Sequence, residues 1–246
     1  LAAVPTVVHG FTSRDGGVST GSLASLNLAL RAGERPEALT ENWRRVATTL
    51  SPGLSAADVA VLHQVHGAEV VEVRAPGGPL APLAEADAAW TAVPGVVLGV
   101  RVADCAPVLL ATPGGVAVAH AGWRGAAAGV VERTVAALCA GTHAAPSAVV
   151  AVVGPCISVD HFEVGEEVVA ALAATGLDPA AFSRPGPRGR PMVDLAGVVL
   201  GQLALAGVVH AAAVRRCTVG DPAFWSHRRD GEGAGRFAGL IARVSS

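Results

Sequence analysis

The chain has 246 residues, 51% of them hydrophobic, with a formal net charge of −2 and 18 basic residues that are all arginine. That length suits one domain with a substantial core, and a balanced charge without a basic tract argues against a nucleic-acid or membrane-surface binder. Four cysteines without a CxxC pair, and no secretory apolar leader, point to a reducing cytoplasm rather than a disulfide framework. The chain opens LAAVPTVV without Met, so a start upstream is expected.

In chain order, the first feature is a polar cluster, HGFTSRDGGVSTGSLASLNLAL at residues 9–30. Arg14, Asp15, Gly16, Gly17 and Ser19 make a loop able to offer backbone N–H groups and a guanidinium fork to an anion. The plainer reading is a polar turn, and the absence of GK[ST] excludes a Walker loop. A helix is predicted over 36–50, then Val-rich strands over 59–62 and 70–73. A loop dense in Pro and Gly follows at 74–86. Further strands are expected over 96–102, 107–112 and 116–121, a helix over 125–140, a strand over 148–154 and a helix over 164–176. The segment 183–192 reads as a second surface loop, and 193–207 as a helix.

The run 195–214 carries no formal charge and is long enough to span a bilayer, but Gln202, Gly207 and His210 favour a buried helix, a turn and a strand. At the end, FWSHRRD precedes an apolar strand. Ser226, Arg228 and Arg229 there line a pocket or, more simply, sit in an exposed loop. Strands and helices interleave irregularly, with no repeat and no linker, which predicts a single α+β domain over 1–246 with mixed sheets.

Three strand ends carry groups capable of holding a metal: LHQVHG with His63 and His66, RVADC with Asp104 and Cys105, and VAHAGWRG with His120. One thiolate and two imidazoles make a three-ligand zinc set with an open fourth position. The competing reading is a core cysteine and two hydrogen-bonded histidines, and spacing does not choose between His63 and His66. Asp104 is costly to bury unpaired. It points away from Cys105 and orients a neighbour, or turns into the site as a general acid or base. Arg124 in GWRG is a further anion candidate, or a surface Arg packed on Trp123.

Two other chemistries use the same residues. Cys105 activated by His120 describes a cysteine hydrolase. Copper oxidation is less suited, because the eight histidines include no HxH pair and the only methionine, Met192, lies in a Pro-rich loop. A non-catalytic interaction module explains none of the clustered Asp, Cys and His residues.

The ordered set TSRDGGVS, SLNLAL, HQVHG, EADA, ADCAPVLL, HAGWRG, GPCI, FEVGEEV and RCTV…FWSHRRD resembles the bacterial YfiH-like, or laccase-domain, proteins across nearly the whole chain. These proteins are also called polyphenol oxidoreductases and are regarded as purine nucleoside phosphorylases. The resemblance implies a layered α/β/β/α fold and a zinc site of His66, Cys105 and His120. It implies phosphorolysis of adenosine, inosine and methylthioadenosine, with adenosine deamination beside it. Asp104, Cys105 and His120 are then the expected catalytic residues. Arg14, Gly16, Gly17, Ser19, Asn27, Gln64 and Arg124 are the expected contacts to nucleoside and phosphate.

Overall fold

The computed structural model describes residues 6–244. Its elements are, in order, β1 (Val7–Phe11), α1 (Pro36–Leu50), β2 (Val59–Val61), β3 (Val70–Glu72), β4 (Ala88–Thr91), β5 (Val97–Val102), β6 (Ala106–Thr112), β7 (Gly115–Ala121), α2 (Trp123–Ala127) and α3 (Val130–Thr142). There follow β8 (Val150–Val153), α4 (Glu166–Ala173), α5 (Pro179–Phe182), β9 (Ser183–Pro185), β10 (Pro191–Val193), α6 (Leu195–Leu205), β11 (His210–Ala213), α7 (His227–Asp230) and β12 (Phe237–Arg243).

Two mixed sheets form the middle. The smaller runs β1-β12-β5-β2, antiparallel except for the parallel pair β2–β5. The larger runs β11-β8-β6-β7-β4-β3, antiparallel through its centre and parallel at both edges. Along β6, Val108 and Leu110 meet Val131, Val135 and Leu138 of α3, whereas Leu109 and Ala111 meet Leu98, Val100 and Ile241 of the smaller sheet. A strand covered on both faces needs no polar alternation, which is why APVLLAT is almost wholly apolar. On the far side, Leu39, Trp43, Val46 and Ala47 of α1 pack on Val59, Val61 and Leu240. The layers are therefore α1, four strands, six strands, and the helices α3, α4 and α6, as the resemblance implied.

The predicted helix over 125–140 is two helices. Gly129 adopts φ +83° between α2 and α3, a conformation that ends a helix and that glycine takes without a Cβ clash. In the uncharged run, the Asp194 side chain accepts the Gly197 N–H at 3.0 Å and caps α6, and Gly207 turns at φ +85° toward β11. Among the described residues no helix is long and apolar enough to cross a membrane. Besides β9 and β10, two short strands escaped the sequence reading: β1, whose VVHGF was absorbed into a polar cluster, and β4, whose AAWT has little β-branched character. The expected loop at 183–192 closes on itself through the antiparallel pair β9–β10.

The chain changes sheets three times at one end of the sandwich, the last time between β11 and β12 through the segment that holds Thr218 and Arg228. The connection from β2 to β3 carries His63 and His66, and that from β5 to β6 carries Asp104 and Cys105.

Candidate metal centre and its cavity

His66, Cys105 and His120 meet at that end, each offering one ligand atom, with all three atoms within 4.8 Å of one another. His120 reaches the group from β7, while His66 and Cys105 reach it from the two connections. His66 and Asp104 take φ +62° and +92°, left-handed values that non-glycine residues adopt only where their surroundings hold them. His63 stays outside, with a largely exposed side chain 3.9 Å from Glu85.

The group is held by a residue that sequence reasoning passed over, Asp87, fully buried just before β4. Its Oδ1 lies 2.7 Å from His120 Nδ1 and accepts the His66 N–H at 3.0 Å. Its Oδ2 accepts the N–H groups of Gly67 at 2.7 Å and Val65 at 3.0 Å. Burial works against this carboxylate, but His120 and the backbone donors outweigh it and hold its pKa below the usual range. An ionised carboxylate only accepts, so His120 donates from Nδ1 and offers Nε2 to the group. Asp87 lies in EADA, where an acid set between alanines just ahead of an apolar strand was the available signal.

Burial raises the pKa of the Cys105 thiol, yet His120 and His66 beside it bring it down to about 6. Burial likewise opposes charge on His120, while Cys105 and Asp87 raise its pKa to about 9. Sulfur and imidazole thus stabilise each other's charged forms.

The residues present fit a zinc ion. The donor set is two imidazoles and a thiolate, no fourth protein donor joins it among the described residues, and the space among the donors is kept clear. A Cβ on Gly122 would lie 2.9 Å from Cys105 Sγ and 3.0 Å from His66 Cδ2, so glycine there leaves the centre open.

The group lies in a cavity of about 740 Å³ whose apolar lining includes Val102, Trp123, Ile157, Phe162 and Leu195. Five arginines line it, Arg31, Arg101, Arg124, Arg228 and Arg236, against one carboxylate, Asp104. Four of them donate to backbone carbonyls: Arg31 to Glu232, Arg101 to Leu62 at 2.7 Å, Arg228 to His161 at 2.9 Å and Arg236 to Ala234 at 2.7 Å. Carbonyls orient a guanidinium without cancelling its charge. None of the five guanidiniums has a carboxylate partner among the described residues, whereas those of Arg44, Arg74 and Arg216 elsewhere are paired. Burial, then the nearby Arg31, lowers the pKa of Arg236 to about 10. Arg101 gave a sequence signal as the one charge in an apolar strand, but Arg31 and Arg236 gave none.

Asp104 faces this cavity with both oxygens engaged. Oδ1 accepts the Thr218 hydroxyl and Oδ2 the Arg228 N–H, each at 2.6 Å, which ties the C-terminal segment to the Cys105 turn. Gln64 lines the cavity and exchanges two hydrogen bonds with the Arg101 backbone, at 2.8 and 2.9 Å. Arg124 lies over the Trp123 ring, 4.4 Å from its centroid.

Arg14, Gly16, Gly17, Ser19 and Asn27 do not line the cavity. Arg14 stacks on Trp225 at 4.0 Å and donates to the Ala24 carbonyl, and the Gly16 carbonyl accepts from Arg45. A Cβ on Gly17 would stand 2.1 Å from the Ser25 oxygen, so that glycine serves loop closure. Ser19 and Asn27 both donate to Glu34, at 2.7 and 2.6 Å. The groups expected to cradle phosphate thus lie outside this cavity, and several of them bond to α1 and to Glu34. Of the C-terminal trio, Arg228 lines the cavity, Ser226 accepts the Arg229 N–H at the start of α7, and Arg229 pairs with Asp230.

Residues 8–244 match a family model described as multi-copper polyphenol oxidoreductase laccase. A Deinococcus radiodurans protein named purine nucleoside phosphorylase is 42% identical over 237 residues, covering 96% of this chain and 88% of that one. The Escherichia coli purine nucleoside phosphorylase YfiH is 38% identical over 234 residues, covering 94% and 91%. The crystal structure of YlmD from Geobacillus stearothermophilus superposes with a TM-score of 0.92 at 33% identity, covering all of this chain and 94% of that one. Over nearly its whole length, the chain belongs to the YfiH family of laccase-like polyphenol oxidoreductase domains.

Proposed function

We propose that this protein is a cytoplasmic, zinc-dependent purine nucleoside phosphorylase that also deaminates adenosine. The observation that carries the reading is the set of uncancelled guanidiniums beside the His66–Cys105–His120 group: one cavity offers anion binding and a metal centre together. The names of the relatives support the same activity. The substrates expected are adenosine, inosine and methylthioadenosine with phosphate.

In this reading phosphate is held by Arg31, Arg101 and Arg236 rather than by Arg14, which lies outside the cavity. A phosphate oxygen attacks C1′ of the ribose as the C1′–N9 bond breaks. The bonding pair leaves with the purine, which takes up the proton that dihydrogen phosphate gives up, and the pentose leaves as its 1-phosphate. Trp123, Ile157 and Phe162 offer flat or apolar surface to the base. Asp104 fixes the Cys105 turn through Thr218 and Arg228, an orienting role. Asp87 holds His120 with Nε2 toward the group. A zinc ion held by His66, Cys105 and His120 would supply Lewis acidity, the chemistry that hydrolytic loss of the adenosine 6-amino group requires.

Copper, the metal in the family's description, fits the donors less well. The described residues hold one group of three candidate ligands, and Met192, the sole possible thioether, does not line the cavity. A second reading rests on Asp87: Cys105, His120 and Asp87 also form the nucleophile, base and carboxylate series of a cysteine hydrolase. Incubating the purified protein with each nucleoside, with and without phosphate, and identifying products alongside metal content tests both. Release of free base that requires phosphate, from protein carrying one zinc per chain, is expected. Phosphate-independent turnover by metal-free protein that iodoacetamide abolishes would give the site to the cysteine mechanism.

A further inference from the structure

The cavity holds more positive charge than one phosphate cancels. Five guanidiniums stand against one carboxylate, and a phosphate group near neutral pH carries about two negative charges. The excess is divided between two walls. Arg101 lies in β5 and Arg236 directly precedes β12, its neighbour in the four-stranded sheet, with Arg31 close enough to depress the Arg236 pKa. Arg124 and Arg228 instead come from α2 and α7. Arg228 is committed to the carbonyls of His161 and Glu163, at 2.9 and 3.4 Å. Arg124 makes no hydrogen bond or ion pair among the described residues, and only its stacking on Trp123 holds it. It lines the cavity with a side chain that no carbonyl or carboxylate of the described residues holds.

We infer that Arg124 receives a second anionic group carried by the substrate, and that purine nucleoside 5′-monophosphates are substrates of this cavity beside the nucleosides. The inference rests on the phosphorylase reading above. The 5′ position follows from the sugar: a charge on O2′ or O3′ would crowd the attacking phosphate, whereas a group on C5′ leaves the ring on the side away from C1′. A volume of about 740 Å³ accommodates a nucleotide and a phosphate together. The reaction balances as before. A phosphate oxygen bonds to C1′, the C1′–N9 bond breaks, the purine takes the pair and a proton, and the sugar leaves as ribose 1,5-bisphosphate.

The test incubates the purified protein with phosphate and either adenosine or 5′-AMP, and identifies base and sugar products by chromatography and mass. Adenine and ribose 1,5-bisphosphate from 5′-AMP are expected, the bisphosphate ruling out prior loss of the 5′-phosphate. Arg124→Gln should lower kcat/KM for 5′-AMP relative to that for adenosine by about tenfold or more, mainly through KM, as loss of a charge-assisted hydrogen bond implies. Turnover of adenosine but not of 5′-AMP overturns this inference and leaves the phosphorylase reading standing. Turnover of neither overturns both. Turnover of 5′-AMP with an unchanged ratio in folded Arg124→Gln overturns the assignment to Arg124.

Discussion

The turn that joins β5 to β6 and the loop that follows β1 both concentrate polar side chains, and they use them in opposite ways. In the loop, Asn42 of α1 accepts the Val18 N–H at 2.8 Å and donates to Ser19 Oγ and the Asn27 carbonyl, both at 2.8 Å, while Ser19 and Asn27 close on Glu34. Ser19, Asn27 and Asn42 thus satisfy one another within a closed network. At the turn, the Cys105 sulfur and the two imidazoles converge on one point, with the cavity arginines beside them carrying uncancelled charge. A closed hydrogen-bond network marks a part of the fold, whereas converging donors without such closure mark the place for a ligand. Residue type alone does not distinguish the two.

That contrast can be broken most directly at Cys105. Cys105→Ser should lose zinc and both reactions together, because a hydroxyl poorly replaces a soft thiolate. Zinc stoichiometry measured beside activity decides this, and a fully active metal-free wild type would sink the zinc mechanism. The loop should fail differently. Asn42→Ala leaves buried partners unpaired and should cost about 3 kcal/mol, read as a fall in Tm of about 6–12 °C, with zinc stoichiometry retained. Loss of zinc from a folded Asn42→Ala protein would erase the distinction between the two regions.

Asp87→Asn should weaken zinc affinity by about 10–100-fold, measured by competition with a chromophoric chelator. The pH dependence of stability follows from the same carboxylate. Its folded pKa lies below the ordinary value, so its contribution is complete above about pH 4 and is lost as pH falls through the lowered pKa. Acid unfolding curves of Asp87→Asn should therefore lack that component. A variant as acid-sensitive as wild type would show that other carboxylates govern the acid limb.

Arg236→Gln should raise the KM for phosphate by about tenfold, while Arg14→Gln should move it far less and chiefly lower Tm, since Arg14 braces Trp225. The reverse result would return phosphate to the loop after β1. The smallest effect is expected at His63, whose exposed ring lies outside the group. Zinc titration of His63→Ala should match wild type, and His66→Ala should bind far more weakly.

Much of this molecule was legible before folding, because helix and strand periodicity follow from local backbone geometry. α1 over Pro36–Leu50 and β6 over Ala106–Thr112 agree with the reading of their segments to within a residue. The uncharged run at 195–214 resolved as a helix, a turn and a strand because Gly207 and the Asp194 cap are local signals. The order of short motifs disclosed the family, and with it the expectation of His66, Cys105 and His120. Tertiary structure alone decided which polar residues share a cavity. Asp87 meets His120 because β4 pairs with β7, and Arg101 lies near Arg236 because β5 pairs with β12 across more than a hundred residues of chain. Arg14 packs on Trp225 and does not line this cavity. Such convergence depends on long-range strand register, which no local pattern encodes, whereas periodicity is written within each segment.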